Sequence, residues 1–154
     1  MLETAEKHNF RFDTVQMPLN VLDVHFRSFE KLVLPKLVEK KIGVLGMKSM
    51  GGGVILKSGV VTAEDCLRYS LSLPTSVVIT GIDSMEILDQ AISIAAGFHP
   101  LKEDEMNALR NKTVEAAEGG KFELFKTSTV YDSTAQNPKY LGKELEATEQ
   151  LAGH

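Results

Sequence analysis

The sequence predicts an α/β fold of parallel strands joined by helices, and three observations carry that expectation. Short apolar runs rich in β-branched residues stand at 13–22, 42–45 and 76–84. Each is followed by residues at helical spacing, with a step of about 30–35 residues that suits βα units. Each run also ends in polar or glycine-bearing chain. In α/β barrels and doubly wound sheets alike, the chemistry gathers at the carboxyl ends of the strands.

Taken in order, residues 1–11 read as a polar lead. The first strand spans 13–18, and Pro18 ends its ladder for want of an N–H. Phe26, Phe29, Val33 and Leu37 recur at helical spacing and predict a helix over 24–40, broken or kinked near Leu34 by Pro35. The second strand spans 42–46, and a glycine-rich loop follows to residue 60. Thr62 caps the next helix, with Glu64 and Asp65 in its first turn, and Pro74 stops that helix after about Leu73. The third strand spans 76–80. Gly81 turns the chain, and Asp83 caps a helix reaching about Ala96. Residues 102–118 form a more polar helix with a thin stripe of Met106, Leu109, Val114 and Ala117, ended by Gly119-Gly120. From Lys121 an extended tail carries Phe122, Phe125, Tyr131 and Tyr140 onto the body, and 143–154 are expected to fray.

The chain has 154 residues, 43% hydrophobic and 25% charged, which is enough for one domain with a real core. Its net charge of -4, without a block of like charge, gives no surface for nucleic acid. One cysteine, Cys66, excludes an intrachain disulfide and a cluster ligated by cysteines of this chain alone. It sits beside Leu67 on an apolar helix face and reads as an inert core thiol. No apolar run approaches the roughly 20 residues of a membrane span, and the start has no signal-peptide core, so a cytoplasmic location is expected. His8, His25, His99 and His154 are not paired at metal-ligand spacing, and no metal site is expected.

Three places at the strand ends carry candidate chemistry. Gln16 and Asn20 flank Pro18, where a carboxamide either holds a planar amide or ring edge or caps a turn. Lys48, Ser49 and Gly51, Gly52 and Gly53 follow the second strand. They offer a point charge and close backbone approach to a phosphate, or else form a plain surface loop. Gly81, Ile82, Asp83 and Ser84 follow the third strand and lead into a helix N-terminus, where the plain reading is a capping motif. No nucleophile elbow, P-loop or paired-cysteine motif is present.

Four stretches in order, Phe-Asp-Thr-Val-Gln-Met-Pro-Leu-Asn (12–20), Gly-Val-Leu-Gly-Met-Lys-Ser-Met-Gly-Gly-Gly (43–53), Leu-Arg-Tyr-Ser-Leu-Ser-Leu-Pro (67–74) and Val-Val-Ile-Thr-Gly-Ile-Asp-Ser (77–84), resemble the aldo/keto reductase family. They match the last three strands of its (β/α)₈ TIM barrel. Glu-Leu-Phe-Lys-Thr (123–127) and Pro-Lys-Tyr-Leu-Gly (138–142) resemble one bacterial branch. The resemblance implies a partial barrel over 1–101, with a C-terminal helix and extended tail over 102–154 packed on it. It implies an oxidoreductase that reduces aldehydes or ketones with NADPH or NADH. Gln16 is similar in place to the glutamine that binds the nicotinamide carboxamide. Met47 falls where many members stack a tyrosine on the nicotinamide ring. Lys48, Ser49 and Gly51–Gly53 fall in the loop over the pyrophosphate, and Gly81 to Ser84 fall at the adenosine end. Gly81 and Ile87 stand where NADP-preferring members carry a lysine and an arginine.

The family's catalytic aspartate, tyrosine, lysine and histidine lie on its first strands, ahead of the matched region. The expectation is therefore a fragment that binds nicotinamide cofactor weakly, with little preference between NADPH and NADH, and that is inactive alone. A truncated gene, a split gene or a designed piece would each give such a chain. The alternative is a non-catalytic module that pairs with itself or with a missing half-barrel through open strand edges. A small complete nucleotide-binding enzyme using Lys48 ranks third.

Overall fold

The computed structural model describes residues 1–129 and 131–132. Its centre is a parallel three-stranded sheet of β1 (Thr14–Pro18), β2 (Gly43–Met47) and β3 (Val77–Val78), ordered as in the sequence. Gln16 lies opposite Leu45, Pro18 opposite Met47 and Gly46 opposite Val78. β3 is shorter than the predicted 76–80. Its pairing with β2 is closed by Ser76 N–H donating to the Val44 carbonyl at 2.8 Å and Ile79 N–H donating to Gly46 at 2.7 Å.

Strand alternation gives the sheet two unlike faces. Met17 and Val44 enter the core at 3% and 2% exposure. On the opposite face Gln16, Leu45 and Val77 are half-buried or exposed, and Val77 is 50% exposed. Among the described residues, the helices cover one face and leave the other bare. β1 and β3 each keep one unpaired edge within the described sheet.

The chain before the sheet is a correction to the polar lead. Residues Leu2–Lys7 form α1. Six residues are too few for a helix to stand on propensity. Burial of Ala5 and packing of Leu2 on the core hold this one, and Glu6 pairs with Lys40.

The single helix predicted over 24–40 is three pieces: a 3₁₀ turn at Asp23–His25, α2 (Phe29–Leu32) and α3 (Leu34–Glu39). Pro35 sits in the first turn of α3, which places a break near Leu34 as expected. The earlier break has another cause. The Ser28 hydroxyl accepts the Lys31 N–H at 2.9 Å, and the Asp23 carboxylate accepts the N–H groups of Phe29 and Glu30 at 3.2 and 2.7 Å. Side-chain acceptors here replace the helical carbonyls.

Thr62 and Asp65 form a reciprocal capping box at the start of α4 (Ala63–Ser72), and Pro74 follows it. α5 (Met85–Ala96) is capped by Ser84, whose hydroxyl accepts the Ile87 N–H at 3.3 Å; the expected cap, Asp83, is corrected to its neighbour. α6 (Glu103–Thr113) ends five residues short of the predicted 118 and leaves Val114 at 52% exposure, while Met106 and Ala117 are buried as the stripe requires. The described part of the tail is not extended: a 3₁₀ turn at Glu118–Gly120 leads into α7 (Leu124–Thr127). Tyr140 and the fraying of 143–154 lie outside the described residues.

Leu19, Leu22, Leu37, Ile55, Cys66 and Tyr69 are fully enclosed, and Met106 and Ala117 from the C-terminal part belong to the same core. Gly120 lies at φ +67, and a Cβ there would fall 2.6 Å from Phe26 Cδ1, so only glycine lets the chain pass this close. No helix among the described residues is long and apolar enough to cross a membrane.

Candidate functional site

A cleft of about 590 Å³ opens at the carboxyl ends of the three strands. Gln16 and Met47 form one end, from β1 and β2. Lys48, Ser49, Gly52 and Gly53 form the wall that follows β2. Thr80, Gly81, Ile82 and Asp83 follow β3, and Ile87 and Gln90 of α5 close the far end. A larger groove of about 860 Å³ runs along the free edge of β1, with apolar Phe12, Phe29 and Leu32 and charged Glu3, Glu6, Lys36, Glu39 and Lys40 around it; Gln16 borders this groove as well.

Adjacent parallel strands bring Gln16 and Met47 together, and the Gln16 amide Nε2 lies 3.0 Å from Met47 Sδ. The chain then turns sharply at Lys48, a non-glycine residue at φ +57. Its ammonium lies 4.3 Å from the centroid of the Tyr131 ring, a cation–π contact between segments far apart in sequence.

The three glycines all take positive φ, at +58, +69 and +84. Two of their N–H groups are already engaged: Gly51 donates to the Lys48 carbonyl and Gly53 to the Met50 carbonyl, both at 2.9 Å. The expected cradle of successive free amides is therefore narrower, with exposed Gly52 at its tip. Gly51 is buried and absent from the cleft wall, and a Cβ there would fall 2.9 Å from Ile55 Cγ1. Its role in the structure is to seat the loop.

Among the described residues lining the cleft, Lys48 is the one cation and Asp83 the one carboxylate. Met50, Leu56, Ile79, Ile82 and Ile87 give the rest of the wall apolar surface, interrupted by Thr80 and Gln90. Gln16, Met47, Lys48, Ser49, Gly52, Gly53, Gly81, Ile82 and Asp83 thus share one cleft.

Asn20 and Ser84 do not join them. Ser84 is used as the α5 cap. Asn20 is fully buried; its Oδ1 accepts the N–H groups of Leu22 and Asp23 at 2.9 and 3.0 Å, and its Nδ2 donates to Glu123 at 3.0 Å. It caps a turn inside the protein. Thr80 and Gln90 escaped the sequence reading, and Tyr131 entered it only as an aromatic of the tail. Thr80 had a signal, a hydroxyl at a strand end; the meeting of Tyr131 with Lys48 had none.

Two charged clusters lie away from the cleft. Lys126, 3% exposed, bridges the fully buried carboxylates of Asp23 at 2.6 Å and Glu123 at 3.0 Å. Burial raises the Glu123 pKa, since one ammonium cannot neutralise two enclosed carboxylates. The Tyr69 hydroxyl donates to Glu30 at 2.8 Å, and Arg110 pairs with the same carboxylate at 3.0 Å. Burial pushes the Cys66 thiol up to about 12, far from a reactive thiolate. Burial also lowers the His25 imidazole, which contacts Thr113 at 3.2 Å. No group of three or more metal-ligating side chains converges among the described residues.

No protein-family profile and no curated protein matches this chain.

Proposed function

We propose that the cleft binds a nicotinamide dinucleotide and that the chain is the C-terminal, cofactor-binding part of a (β/α)₈-barrel oxidoreductase of the aldo/keto reductase type. One observation carries the reading: nine residues assigned to the cofactor by resemblance line a single cleft at the strand ends. The cleft volume is in the range of small-molecule sites, about 300–1,000 Å³. The donor set also fits the ligand. Gln16 offers an amide to a carboxamide, Met47 an apolar surface to a ring, and Lys48 with the backbone at Gly52 a charge and a donor to a pyrophosphate. Ile79, Ile82 and Ile87 offer apolar walls to a purine.

The reduced cofactor, when bound, supplies a hydride to an aldehyde or ketone. The residues here bind and orient. No tyrosine or histidine lines the cleft among the described residues, so none is assigned the proton transfer, and this chain alone is expected to be inactive. With one cation in the wall and Asp83 at the far end, affinity is weak and a 2′-phosphate gains nothing.

The test is titration of NADH and NADPH followed by cofactor fluorescence. Wild type binds both weakly, and Lys48→Ala weakens both alike. Absence of binding overturns the reading. A tenfold or greater preference for NADPH, about 1.4 kcal/mol, shows that the adenosine end is misplaced.

A second reading, a self-associating or half-barrel-complementing module, is favoured by the bare sheet face and by α5. No residue of that helix is buried, and Met85 and Ile92 are 65% and 56% exposed. Light scattering that returns a monodisperse monomer at high concentration counts against it.

A further inference from the structure

Among the described residues, Lys48 is the one cation of the cleft wall and takes part in no ion pair. Its ammonium faces a ring instead. The Tyr131 centroid is 4.3 Å away, against 5.1 to 5.9 Å for the other cation–ring contacts among these residues. The chemistry of that partner matters. A carboxylate beside Lys48 would cancel its charge and compete with an anionic ligand. A neutral ring attracts the ammonium through its quadrupole and leaves the charge whole. It covers one side of a group that carries three N–H donors, so donors remain for a ligand.

Two further observations tie the contact to the glycine loop. The Tyr131 hydroxyl overhangs the loop tip: a Cβ built at Gly52 would meet the Tyr131 Oη at 3.9 Å. The Lys48 backbone is fixed as well. It stands at φ +57, a conformation that a non-glycine residue keeps only when its surroundings impose it, and the Gly51 N–H donates to its carbonyl at 2.9 Å. The base of the side chain is held by the loop and its charged end by the tail.

We propose that Tyr131 is a positioning residue for the anion site: its ring holds the Lys48 ammonium beside Gly52, at the place where the pyrophosphate of the dinucleotide binds. The assignment rests on the cofactor reading above and deepens it, since it brings the C-terminal tail into a site otherwise built from strand ends. A lysine on a free four-carbon stem loses rotamer freedom when it meets a phosphate. With the ammonium already held against the ring, less of that freedom is left to lose. Tyr131 is 44% exposed and is not part of the cleft wall, so it acts through Lys48.

The experiment compares wild type, Tyr131→Leu and Tyr131→Phe, each with Lys48 and with Lys48→Ala. NADH binding is read by cofactor fluorescence, and ADP and adenosine binding by displacement of NADH. Tyr131→Leu is expected to bind NADH and ADP about two- to fivefold more weakly, the scale of an exposed cation–π contact. Tyr131→Phe keeps the ring and stays within about twofold of wild type. Adenosine, which has no phosphate, binds equally to all three. On Lys48→Ala, the leucine substitution weakens ADP no further. Equal or tighter ADP binding by Tyr131→Leu overturns the assignment; tighter binding would mean that the ring competes with the ligand for Lys48. A loss shared by adenosine, or one that persists on Lys48→Ala, overturns it too, because the tail would then support the cleft by some other route. If Lys48→Ala weakens ADP while Tyr131→Leu matches wild type, only this inference falls. If wild type binds neither NADH nor ADP, the cofactor reading falls and this one with it.

Discussion

Asn20 and Glu123, 103 residues apart in the chain, meet in the interior with the amide Nδ2 3.0 Å from the carboxylate. The same amide holds the turn after β1, and the same carboxylate shares Lys126 with Asp23. The C-terminal segment is thereby fastened beneath the strand whose end presents Gln16. A locally unremarkable carboxamide becomes the link between the turn after β1 and the tail.

Lys126→Met is expected to be strongly destabilising. It removes the cation shared by two fully buried carboxylates and leaves them uncompensated, a loss of about 3–5 kcal/mol. Urea unfolding of the two proteins checks this. A loss below about 1 kcal/mol, the scale of an exposed pair, shows that water reaches the cluster.

Stability should depend on pH through Glu123 and Glu30, whose carboxyls burial raises above the ordinary 4.5. The folded state then holds protons more tightly than the unfolded state. The contribution of these groups is complete below pH 4.5 and is lost as pH rises through their folded-state values. Glu123→Gln should flatten the fall of unfolding free energy just above pH 4.5. A variant with the wild-type slope contradicts the raised carboxyl.

Ile87→Arg should change cofactor preference. Ile87 is 36% exposed and lines the far end of a cleft with no other cation than Lys48 among its described residues. A guanidinium there can pair with a 2′-phosphate, tightening NADPH about five- to tenfold while leaving NADH within about twofold. Equal gains for both nucleotides place the phosphate elsewhere.

Cys66 should resist thiol reagents at neutral pH. It is fully buried, and its thiol is pushed up to about 12. Labelling is expected only as fast as the protein opens, and it should accelerate with urea. Rapid labelling of the folded chain would mean that α4 does not pack as described.

The strands and the start of α4 were legible because their signals are local. β-branched runs bounded by glycine, proline or polar residues mark the three strands, and Thr62 finds Asp65 only three residues away. The helix over 24–40 misled because the periodicity of Phe26, Phe29, Val33 and Leu37 survives a break. What breaks the helix is competition by Ser28 and Asp23 for backbone N–H groups, and apolar spacing does not record it. α1 and α7 were missed because helices of six and four residues carry almost no pattern of their own.

The amino-acid order by itself determined the parallel α/β plan and put Gln16, Lys48 and Asp83 at strand ends, because residue type and spacing bound what a strand or a turn can be. Tertiary structure alone decided which of those ends share a cleft. It turned Asn20 inward to Glu123 and set Tyr131 against Lys48. The physical reason is that a polar group's role is settled by the partner it finds on burial, and these partners lie up to 103 residues away.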